Sequence, residues 1–164
     1  MSSSGRNWIE EKVPKIKSNK EMIVQQLKDF SGEFFQALSY LMPQLTSKPV
    51  IPSKEDIIAI IQSPTTSIWV AKDNIEGIIG MLTLAIYHTP TGIHGWIEDV
   101  VVDEKHRNKG IGEALTNAAL AYAQINGAKA VSLTSRPFRE AANKLYQNIG
   151  FKIIETNLYH FIFE

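Results

Sequence analysis

The residues best placed to do chemistry lie between Val100 and Gly112, where the chain reads Val-Val-Val-Asp-Glu-Lys-His-Arg-Asn-Lys-Gly-Ile-Gly. An apolar run passes into a turn carrying Lys105, His106, Arg107 and Lys109, with glycines at 110 and 112. A helical pattern (Ile111, Leu115, Ala118, Tyr122, Ile125) starts immediately after it. The first amides of a helix have no partner inside it, and the helix dipole favours negative charge at that end. Glycines let a bulky oxyanion approach the backbone. The expected ligand is therefore a phosphate or diphosphate. A dinucleotide fingerprint would need a third glycine where Leu115 stands, and no Gly-Lys-Ser/Thr occurs for a Walker loop. The spacing taken alone also fits glycines that serve tight helix–strand packing beside a solvated, charged turn.

Two further groups could move protons. Glu98 and Asp99 lie on the strand that leads into the turn. Strict alternation puts Trp96, Glu98, Val100 and Val102 on one face and Asp99 on the other. Farther along, a helix expected from Pro137 to Asn148 has Phe138, Ala142, Leu145 and Ile149 on one stripe, expected to pack on a sheet. Arg139, Asn143 and Tyr146 form a second stripe beside it, about 100° around the helix. Solvation explains Arg139 readily and the phenol of Tyr146 less well; a core tyrosine is the alternative.

With these residues in place, a resemblance becomes visible. Arg107-Asn-Lys-Gly-Ile-Gly112 resembles the R/Q-x-x-G-x-G/A signature of the GNAT-type N-acetyltransferases. Ala141-Ala-Asn-Lys-Leu-Tyr146 followed by Ile149-Gly-Phe151 is similar to that family's A-x-x-L-Y…G-F ending. The two blocks stand in the family's order, one helix and one strand apart, and the likeness covers Trp69 to Phe163. It implies acetyl-CoA as co-substrate; the residue spacing, for its part, suggests no metal site. The amides of Arg107, Asn108, Lys109, Gly110, Ile111, Gly112 and Glu113 would grip the diphosphate. The edge of Val100, Val101 and Val102 would pair with the pantetheine arm like an added strand. Asn143 would contact that arm, and Arg139 would reach a phosphate.

The same likeness makes Tyr146 the general acid that protonates the departing thiolate. A phenol, with an ordinary pKa of about 10, holds its proton at neutral pH and can give it up. Glu98, nine residues before Arg107, is placed like the suggested base of small-amine acetyltransferases. The family often bulges this strand, which would re-aim both carboxylates and keeps Asp99 a candidate. A surface or salt-bridged carboxylate is the plain alternative for Glu98. The implied reaction is direct attack by a primary amine in a ternary complex, on a small molecule. A protein Lys or N-terminal acceptor and a non-catalytic acyl-CoA sensor are the alternatives. A homodimer is compatible with the likeness, and no feature of the sequence demonstrates one.

The elements that must position these residues follow from periodicity and punctuation. Residues 1–7 read as a flexible tail and 8–164 as one domain. Ser18 and Glu21 have capping-box spacing. Ile23, Leu27, Phe30, Phe34, Leu38 and Leu41 predict one amphipathic helix behind them, bent or split at Ser31-Gly32 and ended by Pro43. Ser53 to Asp56 opens a short helix to Gln62. Strands are expected at 68–71, 78–87, 93–102 and 130–134, with a turn at Thr89–Gly92. Helices are expected at 110–126 and 137–148. Two closing strands, at 151–155 and 158–163, should pair antiparallel. The fold class is α/β (α+β): a mixed, mostly antiparallel sheet containing one parallel strand–helix–strand unit, with helices on both faces.

The remaining residues narrow the class. The 164 residues carry 17 basic and 17 acidic side chains, 44% apolar residues and no cysteine. No cysteine means no disulfide, zinc-thiolate site or Cys nucleophile. A neutral balance argues against nucleic acid as partner. The longest apolar stretch, 77–87, is half of what a spanning helix needs, so no membrane partner and a cytoplasmic location are expected. His88 and His94, flanking the Thr89–Gly92 turn, are expected to bind nothing, with a place at the acceptor mouth as the alternative, and His106 is expected to be solvated. Trp8, Trp69 and Trp96 are expected to serve packing.

Overall fold

The computed structural model describes residues 22–163. It divides into two compact units, one running through Thr134 and one starting at Ser135; each is described by itself. The Ser18–Glu21 helix start, Trp8 and the 1–7 tail lie outside the described residues.

The first unit is a five-stranded sheet in chain order: β1 (Met22–Gln26), β2 (Thr66–Asp73), β3 (Gly77–Thr89), β4 (Gly92–Val102) and β5 (Ala130–Leu133). β1 to β4 pair antiparallel, and β4 to β5 is parallel through the crossover helix α3 (Ile111–Ile125). α1 (Gly32–Leu45) and α2 (Lys54–Gln62) lie between β1 and β2 in sequence. The mixed, mostly antiparallel sheet expected from the sequence is present. So are helices on both faces. Ile68 and Val70 of β2 join a core with Phe34, Leu38 and Leu41 of α1 and Ile57 of α2. Trp69, between them, points the other way and meets the Tyr122 ring of α3 edge-on at 5.4 Å.

The N-terminal boundary differs from expectation. Residues 22–26 form a strand, not the first turns of a helix. Met22 and Val24 are buried and alternate with exposed neighbours, the period of two that antiparallel pairing to β2 demands. The three-and-four spacing through Ile23 and Leu27 arises where a strand and a helix abut. The helix begins at Ser31, whose Oγ accepts the Phe34 amide at 3.1 Å. Pro43 does not end α1. It sits in the last turn, where its missing N–H gives up one bond to the Ser39 carbonyl, and the helix still closes beyond it with the Thr46 amide on the Met42 carbonyl. The Ser53–Asp56 capping box opens α2 as the sequence predicts.

Two features of the sheet set up the site. β4 carries a bulge. Met81 pairs with Val101 and Thr83 with Glu98, so Asp99 and Val100 together stand opposite Leu82. Asp99 takes φ +53°, a left-handed conformation that Asp tolerates better than most residues. In addition, β4 and β5 pair only from His94–Ala130 to Ile97–Leu133. Glu98 to Val102 therefore run on with no β5 partner. The N-terminus of α3 is held close to the sheet at Gly80, where an added Cβ would stand 3.0 Å from the Val101 carbonyl oxygen and 3.3 Å from Leu115.

In the second unit α4 (Glu140–Ile149) starts three residues later than expected. Pro137 occupies the second position of a turn closed by the Arg139 amide on the Arg136 carbonyl (3.0 Å), where its fixed φ is at home. The expected apolar stripe is only partly covered: Ala142, Leu145 and Ile149 are half-buried and Phe138 is exposed. Residues 151–163 form no strand, in contrast to the two expected there. Apolar alternation gives a strand its faces but does not supply the neighbouring backbone that its N–H and C=O groups need.

Candidate active site

The bulge overturns strict alternation along β4. Glu98 remains on the face of Trp96, since their partners Thr83 and Ala85 are two apart on β3. Beyond the bulge it is Val101 that is buried in the core with α1 and α2, and Val102 pairs with Gly80 on the opposite face. Trp96 does more than pack. Its indole Nε1 donates to Glu98 Oε1 at 2.6 Å and fixes one oxygen of that carboxylate. Asp99 is solvent-accessible, yet partial burial and then the neighbouring Glu98 charge raise its pKa above the usual carboxylate value. The two carboxylates therefore differ. One is anchored by an indole; the other is poised to titrate nearer neutrality.

The turn expected to bind phosphate follows at the end of β4. A single 3-10 turn (Glu104–His106) leads to Arg107. Asn108 (φ +62°) and Gly110 (φ +77°) both take left-handed backbone, and Gly110 caps α3. The first helical amide to find a carbonyl is that of Ala114, on Gly110 at 2.9 Å. The amides from Asn108 to Glu113 make no hydrogen bond among the described residues, and the space beside Gly110 is open to 4 Å. Uncommitted donors, open space and the basic residues Lys105, Arg107 and Lys109 suit a diphosphate. Ile111 leaves only its amide facing the turn, because its side chain is buried toward Gly80. The Gly112 carbonyl accepts Thr116 Oγ1 at 2.8 Å, and Glu113 is exposed in the first turn.

His106 is buried, not solvated. Its Nδ1 lies 3.0 Å from Asp103 Oδ2 and its Nε2 lies 3.2 Å from Glu76 Oε1 of the β2–β3 turn. Burial alone would raise the Asp103 pKa; hydrogen bonds from Gln44 and His106, with the nearby positive charges, outweigh it and hold the carboxyl below its usual range. Arg107 is also tied down: Nε donates to the Val102 carbonyl at 3.2 Å and Nη2 to Gln44 Oε1 at 3.2 Å. The Val102 carbonyl is thus already in use. Gln44 escaped the sequence reading, since a lone glutamine near a helix end carries no pattern. His94 stacks against Tyr87 (5.8 Å between ring centres) on the β3–β4 hairpin, and His88 is exposed there.

In the second unit Tyr146 is buried and meets Phe151 edge-on at 5.8 Å. Burial raises its pKa above 10, partly offset by the Arg139 charge. No hydrogen bond among the described residues engages its hydroxyl. Asn143 is half-buried, and its Nδ2 donates to the carbonyls of Arg136 (3.0 Å) and Pro137 (3.3 Å), closing the turn before α4. That leaves only Oδ1 of its amide for another partner. Among the described residues no three His, Asp or Glu side chains are grouped to hold a metal ion. No described helix is long and apolar enough to cross a membrane.

Comparison with known proteins addresses the family and the fold. The zebrafish (Danio rerio) N-acetylaspartate synthetase is 32% identical over 107 residues, 63% of this chain and 36% of that protein. The Schizosaccharomyces pombe N-alpha-acetyltransferase 30 is 30% identical over 83 residues, 51% of this chain and 55% of that one. The chain thus matches only part of the length of these curated relatives. Among solved structures, an aminoglycoside N-acetyltransferase in complex with CoA superposes with a TM-score of 0.74 at 17% identity, covering 90% of this chain and 98% of that one; this likeness concerns the fold. The model of the acetyltransferase (GNAT) family matches residues 28–151, from the loop after β1 through the turn and α3 to Phe151, and the chain belongs to that family.

Proposed function

We propose that this protein is an acetyl-CoA-dependent N-acetyltransferase that acylates a primary amine by direct attack, with a small-molecule acceptor. The observation that carries the reading is the row of uncommitted amides from Asn108 to Glu113 at the mouth of α3, next to a β4 edge that β5 leaves unpaired. Family membership supports the same reading.

When bound, acetyl-CoA supplies the acetyl group as a thioester. The turn amides and the basic residues around them hold its diphosphate. The main chain of Val100 and Val101 lines the open edge beside it. An alkylammonium, with a pKa of about 10, must lose a proton before its nitrogen can attack. Glu98, anchored through Trp96, takes that proton directly or through water, and Asp99 beside it is the second candidate. Two adjacent carboxylates also favour a cationic acceptor over a neutral one. Tyr146 gives its hydroxyl proton to the departing sulfur. With no cysteine in the chain, no acyl-cysteine intermediate is available.

Thiol release from acetyl-CoA, measured with a panel of small amines and peptides bearing free N-termini or lysines, tests this directly. Turnover with a small amine is expected. Binding of CoA with no turnover on any member of the panel would make the protein a sensor, and turnover on peptides alone would move the acceptor to protein amines.

Glu98→Gln and Asp99→Asn identify the base. A general base is worth roughly 10²–10⁴-fold. The larger loss of kcat is expected for Glu98→Gln. The pH profile gives an independent reading, because a base works only when deprotonated and activity falls as pH drops through its pKa. If Asp99 is the base, its raised pKa places that limb above the ordinary aspartate value of about 3.9, and Asp99→Asn removes the limb.

A further inference from the structure

We infer that Gln44 is a positioning residue for the coenzyme, a brace that sets the phosphate-binding turn in its binding conformation; the inference rests on the acetyl-CoA reading of that turn. Gln44 lies near the end of α1, far from the turn in sequence. Its carboxamide uses both ends. Nε2 donates to the Tyr40 carbonyl at 2.9 Å and to Asp103 Oδ1 at 3.0 Å. Oε1 accepts the Glu104 amide at 2.8 Å and Arg107 Nη2 at 3.2 Å.

The bond to Tyr40 ties the carboxamide to its own helix, and the other three each fix a different part of the approach to the turn. The Glu104 amide opens the 3-10 turn and has no carbonyl inside it to bond. Asp103 carries the load onward through Oδ2 to His106, and His106 to Glu76 of the β2–β3 turn. Arg107, held by Gln44 and by the Val102 carbonyl, enters the left-handed Asn108 at a fixed angle. One side chain of α1 thereby stands between the core helix and the run of amides that follow Arg107. A hydrophobic or shorter residue at 44 would leave the Glu104 amide and Asp103 Oδ1 each without a protein partner, while α1 itself stays packed through Phe34, Leu38 and Leu41.

The amide is also polarity-specific. A carboxylate at 44 keeps the acceptor for Glu104 and Arg107 but sets a second negative oxygen against Asp103 Oδ1. Converting Asp103 to Asn in that background restores a donor opposite an acceptor and keeps an oxygen for His106. This reversal separates a bonded brace from simple space-filling.

Calorimetry with CoA and steady-state kinetics on the folded protein test the inference. For Gln44→Ala we expect CoA affinity to fall about tenfold, the scale of one lost hydrogen bond. The KM for acetyl-CoA should rise to match, with kcat within about twofold. Gln44→Glu should weaken CoA binding as well, and Gln44→Glu combined with Asp103→Asn should recover at least half of that loss. If the alanine variant does not fold, the Glu/Asn pair is decisive alone. Wild-type affinity in folded Gln44→Ala, or a double variant that binds no better than Gln44→Glu, overturns the role of Gln44. Failure of the wild type to bind CoA overturns the acetyl-CoA reading instead, so the two failures are distinct.

Discussion

Gly112→Asp should abolish coenzyme binding while leaving the fold intact. Gly112 is the second residue of α3, among the amides that find no carbonyl. An aspartate there puts a side chain into the space a diphosphate would enter and a negative charge against it. Two like charges about 4 Å apart near a protein surface repel by about 4 kcal/mol. A loss of at least ~100-fold in CoA affinity, about 2.7 kcal/mol, is therefore a conservative expectation. Helix propensity and the helix dipole do not oppose the substitution. Asp in a first turn interacts favourably with the dipole, by about 0.3–1 kcal/mol, and Gly is among the poorest helix formers. The melting temperature without ligand should hold or rise slightly. The increase that CoA brings to the wild type, a direct consequence of binding the native state alone, should vanish. Unchanged CoA affinity in a variant with wild-type melting behaviour would remove the turn from the binding site.

The reason this turn was legible from sequence is that all of its determinants are local. Glycine at 110 suits φ +77°, and Gly112 lies in the first turn of a helix whose apolar stripe starts at once. Charge, glycine and periodicity sit within one short window. The same holds for α2, whose cap lies in four residues, and for the hairpin from β3 to β4. What was lost depended on partners far away in sequence. Residues 22–26 became a strand because β2 pairs with them, although the spacing of Ile23 and Leu27 also fits a helix. The Asp99 bulge lies in the register between two strands, and one inserted residue moved Val102 to the opposite face from Glu98. His106 looked solvated because its two carboxylate partners are Asp103 and the distant Glu76. Gln44 reaches the turn across 59 residues or more.

Tyr146→Phe should lower kcat by about 10²-fold and leave the KM for acetyl-CoA within about twofold. General acid catalysis is worth roughly 10²–10⁴-fold, and this variant removes one oxygen and nothing else. The buried ring and its edge-on contact with Phe151 survive. The backbone bonds that end α4, from Gly150 and Phe151 to the Tyr146 carbonyl, do not depend on the side chain. Burial raises the Tyr146 pKa, which moves the pH at which its proton is lost upward. An acid works only when protonated, so activity is full below its pKa and falls as pH rises through it. The alkaline limb of the wild type should therefore lie above the ordinary tyrosine value of about 10, and be absent from the phenylalanine variant. The Arg139 charge favours the phenolate; Arg139→Gln should shift that limb upward without removing it. An equal loss in kcat and in coenzyme affinity would make Tyr146 a packing or binding residue. A kcat unchanged by Tyr146→Phe would mean that the thiolate leaves without a proton from Tyr146.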